Sequence, residues 1–303
     1  MVLVLLLGGM TVRTAWAQEK PAVEKAEPEG PAEAEDSPQA ADERPRRRFR
    51  PLLQPVLTPE QRTEAERLKR LGAKFGTDPT AIVGRVQLSG TYYDLTQGAR
   101  LTDGVLRVDL PFRGNWLFRV DTPYRWLDPN TSGVPSTNGV GDLTTVLGWR
   151  AYYTPEYAVF IGAINSFPIA DETLLGTGKY TVGPFLATAR FLPRLDSFLF
   201  GVLQHQTSVG GDSSRQAVSL GRASVLVNTI WKERWWTTVQ GVWLVNWEQN
   251  AKSSMVAEFE AGRNLLGQFG VFVRPGIGVW GKGVPGAYEW NAEVGVRYIF
   301  GSF

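Results

Sequence analysis

The segment EWNAEVGVRYIFGSF, residues 289–303, carries two opposite surfaces on one extended stretch of chain. Every second residue is apolar or aromatic, whereas the residues between them include Glu289, Glu293 and Arg297. An alternation of period two indicates a β-strand, because successive side chains of a strand point to opposite faces. We therefore predict a strand over residues 287–300 with one charged and one apolar face. The apolar face comprises Tyr288, Trp290, Ala292, Val294, Val296, Tyr298 and Phe300.

The same alternation recurs along the chain from Ile82 onward, between clusters of Gly, Pro, Asn and Asp. Such clusters are typical of turns, so the pattern predicts a succession of short strands. About twelve strands are expected, most of them near the ~9–11 residues that a tilted transmembrane strand needs. Their expected positions are residues 82–95, 103–111, 115–122, 140–153, 157–167, 180–191, 198–207, 217–230, 235–247, 254–264, 268–280 and 287–300.

The connections between these strands alternate in length. Those after even-numbered strands are short, as in TPE (154–156), whereas several after odd-numbered strands are long and polar, as in PIADETLLGTGK (168–179). Two further long connections are expected at residues 121–139 and 208–216. Short periplasmic turns and longer outer loops are typical of outer-membrane barrels. The sequence therefore predicts an all-β fold, a transmembrane antiparallel up-and-down β-barrel over residues 82–303 with both ends in the periplasm.

The two faces of each strand have different expected surroundings. No water satisfies backbone groups in hydrocarbon, so a membrane-spanning sheet must close on itself. Outward side chains then meet lipid, where an Arg or Lys at the midplane costs ~2–4 kcal/mol, and charged side chains are assigned to the lumen. The lumen-lining candidates are Arg107, Asp109, Arg119, Asp121, Asp142, Arg150, Arg222, Asn228, Glu258, Glu260, Glu289, Glu293 and Arg297.

Two expected strands, 157–167 and 198–207, do not sort into faces, because parts of them are apolar on both sides. Either the lumen is partly apolar at these strands or their register shifts. Aromatic residues near strand ends are expected to form belts at the two membrane–water interfaces. The expected periplasmic belt comprises Trp149, Tyr152, Tyr153, Phe191, Trp231, Trp235 and Trp236, and the outer belt Tyr92, Trp247, Trp280 and Trp290.

Composition narrows the classes of function. The chain of 303 residues contains no Cys, which excludes a disulfide framework and a Cys-based metal site. Its formal net charge of +2 is too balanced to argue for a nucleic-acid partner. Eleven Trp residues, within an aromatic content of 12%, are typical of side chains at a membrane interface. We predict neither a cofactor nor a metal.

The region before the barrel divides into three expected parts. An apolar run followed by an A-x-A pattern at residues 15–17 predicts a signal peptide over residues 1–17, although a positive n-region is missing. Residues 18–57 are rich in Pro, Glu and Ala and are predicted to be disordered. The basic block at residues 44–50 is either part of a periplasmic tether or a contact with peptidoglycan or lipid phosphates.

A short helix is predicted at residues 58–76. Thr58 is placed as the N-cap, with Pro59 in the first helical position and Gln61 at the third, the arrangement of a capping box. Either Gly72 or Gly76 can end the helix. Two locations remain open for this helix, in the periplasm or inside the lumen as a plug.

Three stretches resemble one family of bacterial outer-membrane barrels, described as transporters of the meta-pathway of phenol degradation. They are NGVGDLTTVLGWR (138–150), FPIADETLLGTGKYTVGP (167–184) and LQHQTSVGGDS (203–213), in the same order along the chain. The resemblance covers roughly the barrel region. It implies an outer-membrane barrel in a Gram-negative bacterium that takes up aromatic or other hydrophobic compounds. It also implies that the C-terminal aromatic strand is recognised by the barrel-assembly machinery.

The middle stretch supplies the loop candidates. Gly176 and Gly178 are expected to adopt positive φ in a loop that folds back toward the lumen. Lys179 is expected to pair with Asp171 or Glu172, and Asp142 is another possible partner. Two interpretations of this loop remain open: a structural clamp, or a constriction that contacts solute.

Three classes of function remain after this survey. The favoured one is a passive channel whose partners are outer-membrane lipid and a small-molecule solute. The second is an anchoring barrel without specific transport. The third is an outer-membrane hydrolase, which is disfavoured because His205, the only histidine, has no adjacent serine and no second His for a metal site. No catalytic residue is assigned.

Overall fold

The computed structural model describes one short helix followed by a sheet that closes into a barrel. The expected signal peptide (1–17) and the expected tail (18–57, apart from Leu57) lie outside the described residues, and so does Phe303. Within the described residues, no helix is long and apolar enough to cross a membrane. The described residues are 57–78, 81–192, 195–231 and 234–301.

The elements follow in simple order along the chain, and two single-turn 3-10 helices occupy Thr96–Gly98 and Trp247–Gln249. The helix α1 spans Pro59–Phe75, and the strands are β1 (Gly84–Asp94), β2 (Arg100–Phe112), β3 (Trp116–Asp128), β4 (Thr137–Val140), β5 (Leu143–Tyr153), β6 (Tyr157–Phe167), β7 (Lys179–Leu192), β8 (Ser197–Gly211), β9 (Ser219–Trp231), β10 (Trp235–Asn246), β11 (Lys252–Leu266), β12 (Phe269–Trp280) and β13 (Trp290–Phe300).

All strand pairs are antiparallel, and the sheet has no free edge along its main ring. Each strand from β5 to β13 pairs with its neighbour in sequence, while β1 pairs with both β2 and β13, and β2 with β3. Both β4 and β5 pair with β3, so they form one interrupted strand. The ring is therefore a closed barrel of twelve strands, which confirms the predicted fold class.

The strand expected over residues 140–153 is interrupted between β4 and β5. At the interruption the backbone N–H of Gly141 donates to Pro123 O at 3.0 Å. The connection between β6 and β7 covers the outer edge of β4, because Val140 N donates to the Asp171 carboxylate at 2.7 Å and Asp171 N donates to Val140 O at 3.1 Å. Polar groups of a strand edge are thus satisfied by a loop rather than by another strand.

The connection expected at residues 121–139 is shorter in the structure. Strand β3 continues to Asp128, because residues 124–128 pair with residues 100–104 of β2. Only residues 129–136 remain between β3 and β4. Polar side chains such as Arg125 suggested a loop in the sequence, whereas they belong to a strand whose inner face is charged.

The two ends of the barrel differ in their connections. One end carries tight connections such as residues 113–115 and 154–156, and it also carries Gly84 and Phe300, where the barrel begins and ends. We call it the turn end. The opposite end carries the longer connections, among them residues 168–178 and 281–289. We call it the loop end.

The predicted helix is confirmed, together with its capping box. Thr58 Oγ1 accepts a hydrogen bond from Gln61 N at 3.3 Å, and Gln61 Oε1 accepts one from Thr58 N at 3.1 Å. These two bonds satisfy backbone donors that the first helical turn leaves without partners. Gly76 ends the helix with φ of 64°, a left-handed conformation that glycine adopts without a Cβ penalty.

Helix α1 packs against the inner surface of the barrel at the turn end. Its buried Ala65 and Leu68 contact Phe191, Phe198 and Ile230, whose side chains point inward from β7, β8 and β9. On the opposite wall the helix terminus is held by β13, since Arg297 Nη1 donates to the carbonyl of Gly76 at 3.1 Å. The helix thus lies across the turn end of the interior, and of the two open locations the structure shows the one inside the barrel.

The strand faces separate as the alternation predicts. Val86 of β1 pairs with Val108 of β2 on the outer face, whereas Gln87, Arg107 and Asp121 form a row across β1, β2 and β3 on the inner face. Most exposed large apolar side chains lie on the outer faces of strands. The outside of the barrel is therefore apolar and its inside carries the charges.

Two aromatic residues expected in the periplasmic belt point into the barrel instead. Phe191 and Trp236 are each 1% exposed. Phe191 packs with α1, and the Trp236 indole N–H donates to Glu260 Oε1 at 2.6 Å. The sequence could not separate Trp236 from the adjacent, half-exposed Trp235, because two consecutive aromatics do not define which one faces out.

Substitution of Gly183 by Ala tests the tight contact between β7 and β8. A Cβ atom at residue 183 would lie 1.6 Å from the backbone oxygen of His205, so the two strands would have to separate. We expect a loss of about 1–3 kcal/mol in the free energy of unfolding, measured by urea denaturation in detergent micelles with tryptophan fluorescence. Gly90→Ala is the matched control, because a Cβ there meets no atom within 4 Å. Equal stability of the two variants would contradict this packing.

Candidate functional site

The barrel encloses one large cavity of about 1550 Å³. Residues 76–78, which follow α1, line its turn end. At the loop end three connections fold over the opening and line the cavity with residues 176–177, 214–218 and 283–288. The cavity is therefore a chamber between α1 and the loops, and it is the candidate functional site.

Strands β1, β2 and β3 supply the first group of charges in the chamber. Asp109 accepts hydrogen bonds from Arg119 Nε at 2.6 Å and from Arg85 Nε at 2.8 Å. Arg107 binds Asp121 through two parallel bonds of 2.7 and 2.8 Å. These partners lie directly opposite one another in the register, where cross-strand side chains are close enough to pair. Bidentate arginine–carboxylate bonds fix both side chains.

Strands β10 to β13 supply a second group centred on Glu260. This carboxylate accepts from the Trp236 indole at 2.6 Å, from Arg274 Nη2 at 2.6 Å and from Arg297 Nη2 at 2.8 Å. Arg274 also contacts Glu293 at 3.2 Å. The Arg297 guanidinium lies 4.5 Å from the centroid of the Trp236 ring, a cation–π contact. Almost every donor and acceptor in this group has a partner.

The wall formed by β5 to β8, together with the start of β3, is apolar. Phe160, Ala187 and Ala189 are buried there, and Phe185, Phe200 and Val202 pack against them. Several of these side chains line the cavity. The two strands that did not sort into faces therefore contribute to an apolar part of the interior. We call this surface the apolar wall; its cavity-lining members are Leu117, Val146, Phe160, Ile164, Phe185, Ala187, Phe200 and Val202.

Most of the lumen-lining candidates lie on the wall of the chamber. That these side chains contact a solute stays a prediction. The candidates on the cavity lining are Arg107, Asp109, Arg119, Asp121, Arg222, Asn228, Glu258, Glu260, Glu293 and Arg297.

Three candidates lie elsewhere. Glu289 pairs with Lys282 at 2.6 Å at the rim of the loop end. Its neighbour Tyr288, expected on the outer face, is 6% exposed and lines the cavity. The predicted strand begins at residue 287, whereas β13 begins at Trp290, so residues 287–289 belong to the loop and the predicted faces of Tyr288 and Glu289 are wrong. Arg150 lies at the turn end, where it binds Asn115 Oδ1 at 3.0 Å.

Asp142, the third, is part of the clamp that holds the loop between β6 and β7. Its carboxylate accepts from Thr177 N at 2.6 Å and from Thr177 Oγ1 at 2.8 Å. Arg215 adds a bond to the carbonyl of Gly176 at 2.7 Å. Of the two interpretations of this loop, these contacts describe the structural clamp.

The remaining loop candidates differ in part from expectation. Lys179 does not pair with Asp171 or Glu172; its Nζ donates to the carbonyl of Asp212 at 2.6 Å. Gly178 has a φ of 69° as expected, whereas Gly176 does not have positive φ. Glycine at residue 176 leaves room instead, because a Cβ there would lie 2.3 Å from Asp142 Oδ1. Glu172 is exposed.

Several chamber residues were missed by the sequence reading, chiefly Arg85, Asp103, Arg125 and Arg274. Arg125 lies 3.6 Å from Asp103, completing the pairs on β2 and β3. Arg274 stands between Val273 and Pro275, so a single charge within an apolar run was the only available indication. Arg85 was missed for the same reason, since it stands alone near the start of its strand.

Lys69 links α1 to the turn end of the barrel. Its Nζ donates to the Thr154 carbonyl at 2.6 Å and lies 4.3 Å from the Tyr153 ring centroid. Burial lowers the pKa of Lys69 to about 8, while Asp78 acts in the opposite direction and Arg150 in the same one. A charged amine in this position therefore weakens the docking of the helix near neutral pH.

Comparison with known proteins supports the fold. No family model matches the chain, and no curated protein matches it. Among solved structures, the chain is similar to an outer membrane channel from Pseudomonas putida F1, with 12% identity and a TM-score of 0.57 over 72% of this chain and 94% of that one. It is also similar to the NanC porin, with 12% identity and a TM-score of 0.52 over 70% of this chain and 98% of that one. The chain has the fold of outer-membrane β-barrel channels. The resemblance to the phenol-pathway family stays a prediction.

Alkaline pH should strengthen the docking of α1. The docked pKa of Lys69, about 8, lies below its ordinary value, so the docked state loses its proton first and docking becomes more favourable as pH rises above 8. Between pH 8 and 10 the gain is roughly 2–3 kcal/mol. The absence of Cys allows a single spin label at Thr63→Cys, an exposed position on α1. Label mobility should fall over this pH range and should stay constant in the Lys69→Met background.

Removal of the Glu260 carboxylate should strongly destabilise the barrel. Glu260→Ala leaves the Trp236 indole and the Arg297 guanidinium buried without their acceptor. Breaking a buried pair in this way costs about 3–5 kcal/mol, which urea denaturation in detergent would measure. Lys282→Ala is the control, since that ion pair is exposed at the rim and worth under about 1 kcal/mol. A similar loss for both variants would argue against the Glu260 network.

Proposed function

We propose that this protein is an outer-membrane channel for passive uptake of small hydrophobic or aromatic compounds through the chamber. The observation that carries the proposal is the apolar wall, which faces a wall of paired charges inside one closed barrel. In this proposal the protein lies in the outer membrane of a Gram-negative bacterium. The barrel-assembly machinery recognises the aromatic C-terminal strand β13.

The outer surface supports the membrane location. A closed ring of strands leaves no unpaired backbone edge, which hydrocarbon would penalise. Large apolar side chains such as Leu88, Val225 and Val239 are each more than half exposed on outer faces. A contiguous exposed surface of this kind favours association in water, whereas lipid covers it without cost. The outer face therefore suits contact with lipid.

The interior supports a solute that is at least partly apolar. Most arginines of the chamber already contact carboxylates, so their charges are neutralised within the protein. The apolar wall offers burial of roughly 25 cal/mol for each Å² of apolar solute surface. A sugar would gain little from that wall. A ring or alkyl chain would gain burial on one side and keep water on the other.

The site disfavours hydrolysis as the function. His205 lies on the same outward face of β8 as the exposed Leu203 and does not line the chamber. Side chains that could act as general bases in the chamber are carboxylates, and several of them are engaged by arginine. We therefore infer transport rather than chemistry at this site.

Liposome swelling tests the proposed function. Liposomes that contain the purified protein should admit benzyl alcohol and other small aromatic solutes faster than sugars of similar size. Phe200→Gln should lower this preference several-fold, since it places a polar group on the apolar wall, whereas Phe200→Leu should retain it. Equal rates for aromatic solutes and sugars in the unmodified protein would contradict the proposal.

A further inference from the structure

One arginine of the chamber has no partner among the residues that the structure describes. Seven arginines project into the chamber from strands, and six of them contact a carboxylate within 4 Å. Arg222 of β9 is the exception. Among the described residues it has neither an ion pair nor a hydrogen-bond acceptor. Its side chain is accessible to solvent although it lies inside the barrel. Its guanidinium therefore faces the space that a solute would occupy.

The charge balance of the chamber leads to the same residue. Eight arginines and seven carboxylates line the cavity when residues outside the strands are included. One positive charge therefore has no counterpart in the described part of the chain. Glu258, the carboxylate with the largest electrostatic effect on Arg222, forms no ion pair with it and accepts a hydrogen bond from the Tyr288 hydroxyl at 2.8 Å. Within the described residues, two of the eight arginines contact no carboxylate: Arg215 binds the carbonyl of Gly176 at 2.7 Å in the clamp, which leaves Arg222 as the arginine whose charge faces the chamber.

Apolar and aromatic side chains flank Arg222 on two sides. In the register, Arg222 lies opposite Gln204 of β8 and Leu244 of β10. Two tyrosines, Tyr93 and Tyr288, stand 5.5 Å apart between ring centroids and pack with Leu244 on the same side of the cavity. On the other side β8 carries the apolar wall. Arg222 thus stands where the apolar wall meets a tyrosine pair.

This arrangement has the chemistry of a site for an amphipathic anion. A guanidinium presents a planar fork of donors that matches a carboxylate in two parallel hydrogen bonds. Apolar surfaces on both sides accommodate a ring or an alkyl chain next to the charged group. A simple inorganic anion would bind the guanidinium and leave the apolar surfaces in contact with water.

We propose that Arg222 is a recognition site for the carboxylate of small aromatic acids that cross the chamber. The proposal deepens the proposed function, on which it rests, by naming the substrate class at that site. Neutral aromatic solutes use the apolar wall alone, whereas aromatic carboxylates gain a second contact at Arg222.

Binding and flux are measured separately. Benzoate is titrated calorimetrically into the purified full-length protein in detergent, with benzyl alcohol as the neutral analogue. We expect benzoate affinity to fall about tenfold or more in Arg222→Gln, because a charge-assisted hydrogen-bonded pair is lost. Arg222→Lys should keep part of the affinity, and Arg263→Gln, a residue on the outer face, should keep all of it. Benzoate affinity that is unchanged in Arg222→Gln would overturn the proposal.

Liposome swelling then separates this proposal from the proposed function. Arg222→Gln should slow benzoate relative to benzyl alcohol while leaving benzyl alcohol unchanged. An equal reduction for both solutes would overturn the role of Arg222 as a carboxylate site. If benzyl alcohol enters no faster than sugars in the unmodified protein, the proposed function fails, while the calorimetric result still decides whether Arg222 binds a carboxylate.

Discussion

The pairing of β1 with β13 is the constraint on which the rest of the structure depends. Their eleven residue pairs run from Gly84 with Phe300 to Asp94 with Trp290 and close the sheet into a ring. Closure satisfies the backbone of what would otherwise be two free edges. It also gives the sheet an inside, so the alternation of each strand becomes a separation between an apolar exterior and a charged chamber.

The ion pairs of the chamber specify the register more than they add stability. Taking charges out of water offsets much of the attraction between paired groups, so a buried pair contributes little net free energy. A slip of one residue, however, would turn Arg107 and Asp121 to the outer face together with their strands. Charges at these positions therefore disfavour every neighbouring register. Stability comes chiefly from the backbone ring and from apolar clusters such as that of α1 with Phe191 and Phe198.

Much of this fold could be predicted from the sequence, because a two-residue alternation records which side of a sheet each side chain faces. The strand predicted at 157–167 has the same bounds in the structure. The inward position of Glu258 and Glu260 follows from the alternation of faces along β11. The alternation no longer predicts the face of a residue where the chain leaves the strand, which is why the predicted faces of Tyr288 and Glu289 are wrong. The alternation also cannot identify which side chains form ion pairs. Arg274 contacts Glu260 through the register of β11 with β12, and no local pattern in the sequence encodes that register.

The two halves of the chamber have separate physical roles, and α1 joins them. Its apolar face packs on the side of β7 to β9, where Phe191 and Phe198 continue the inward row that contains Phe185 and Phe200. Its C-terminal end meets Arg297, a member of the charged group. The helix therefore closes the chamber through apolar contacts on one side and a contact with an arginine on the other, and these are also the two kinds of surface that line the chamber. Because the barrel ladder needs none of these contacts, α1 can undock without breaking the ring of strands. In the proposed channel, passage through the turn end therefore depends on the free energy with which α1 docks.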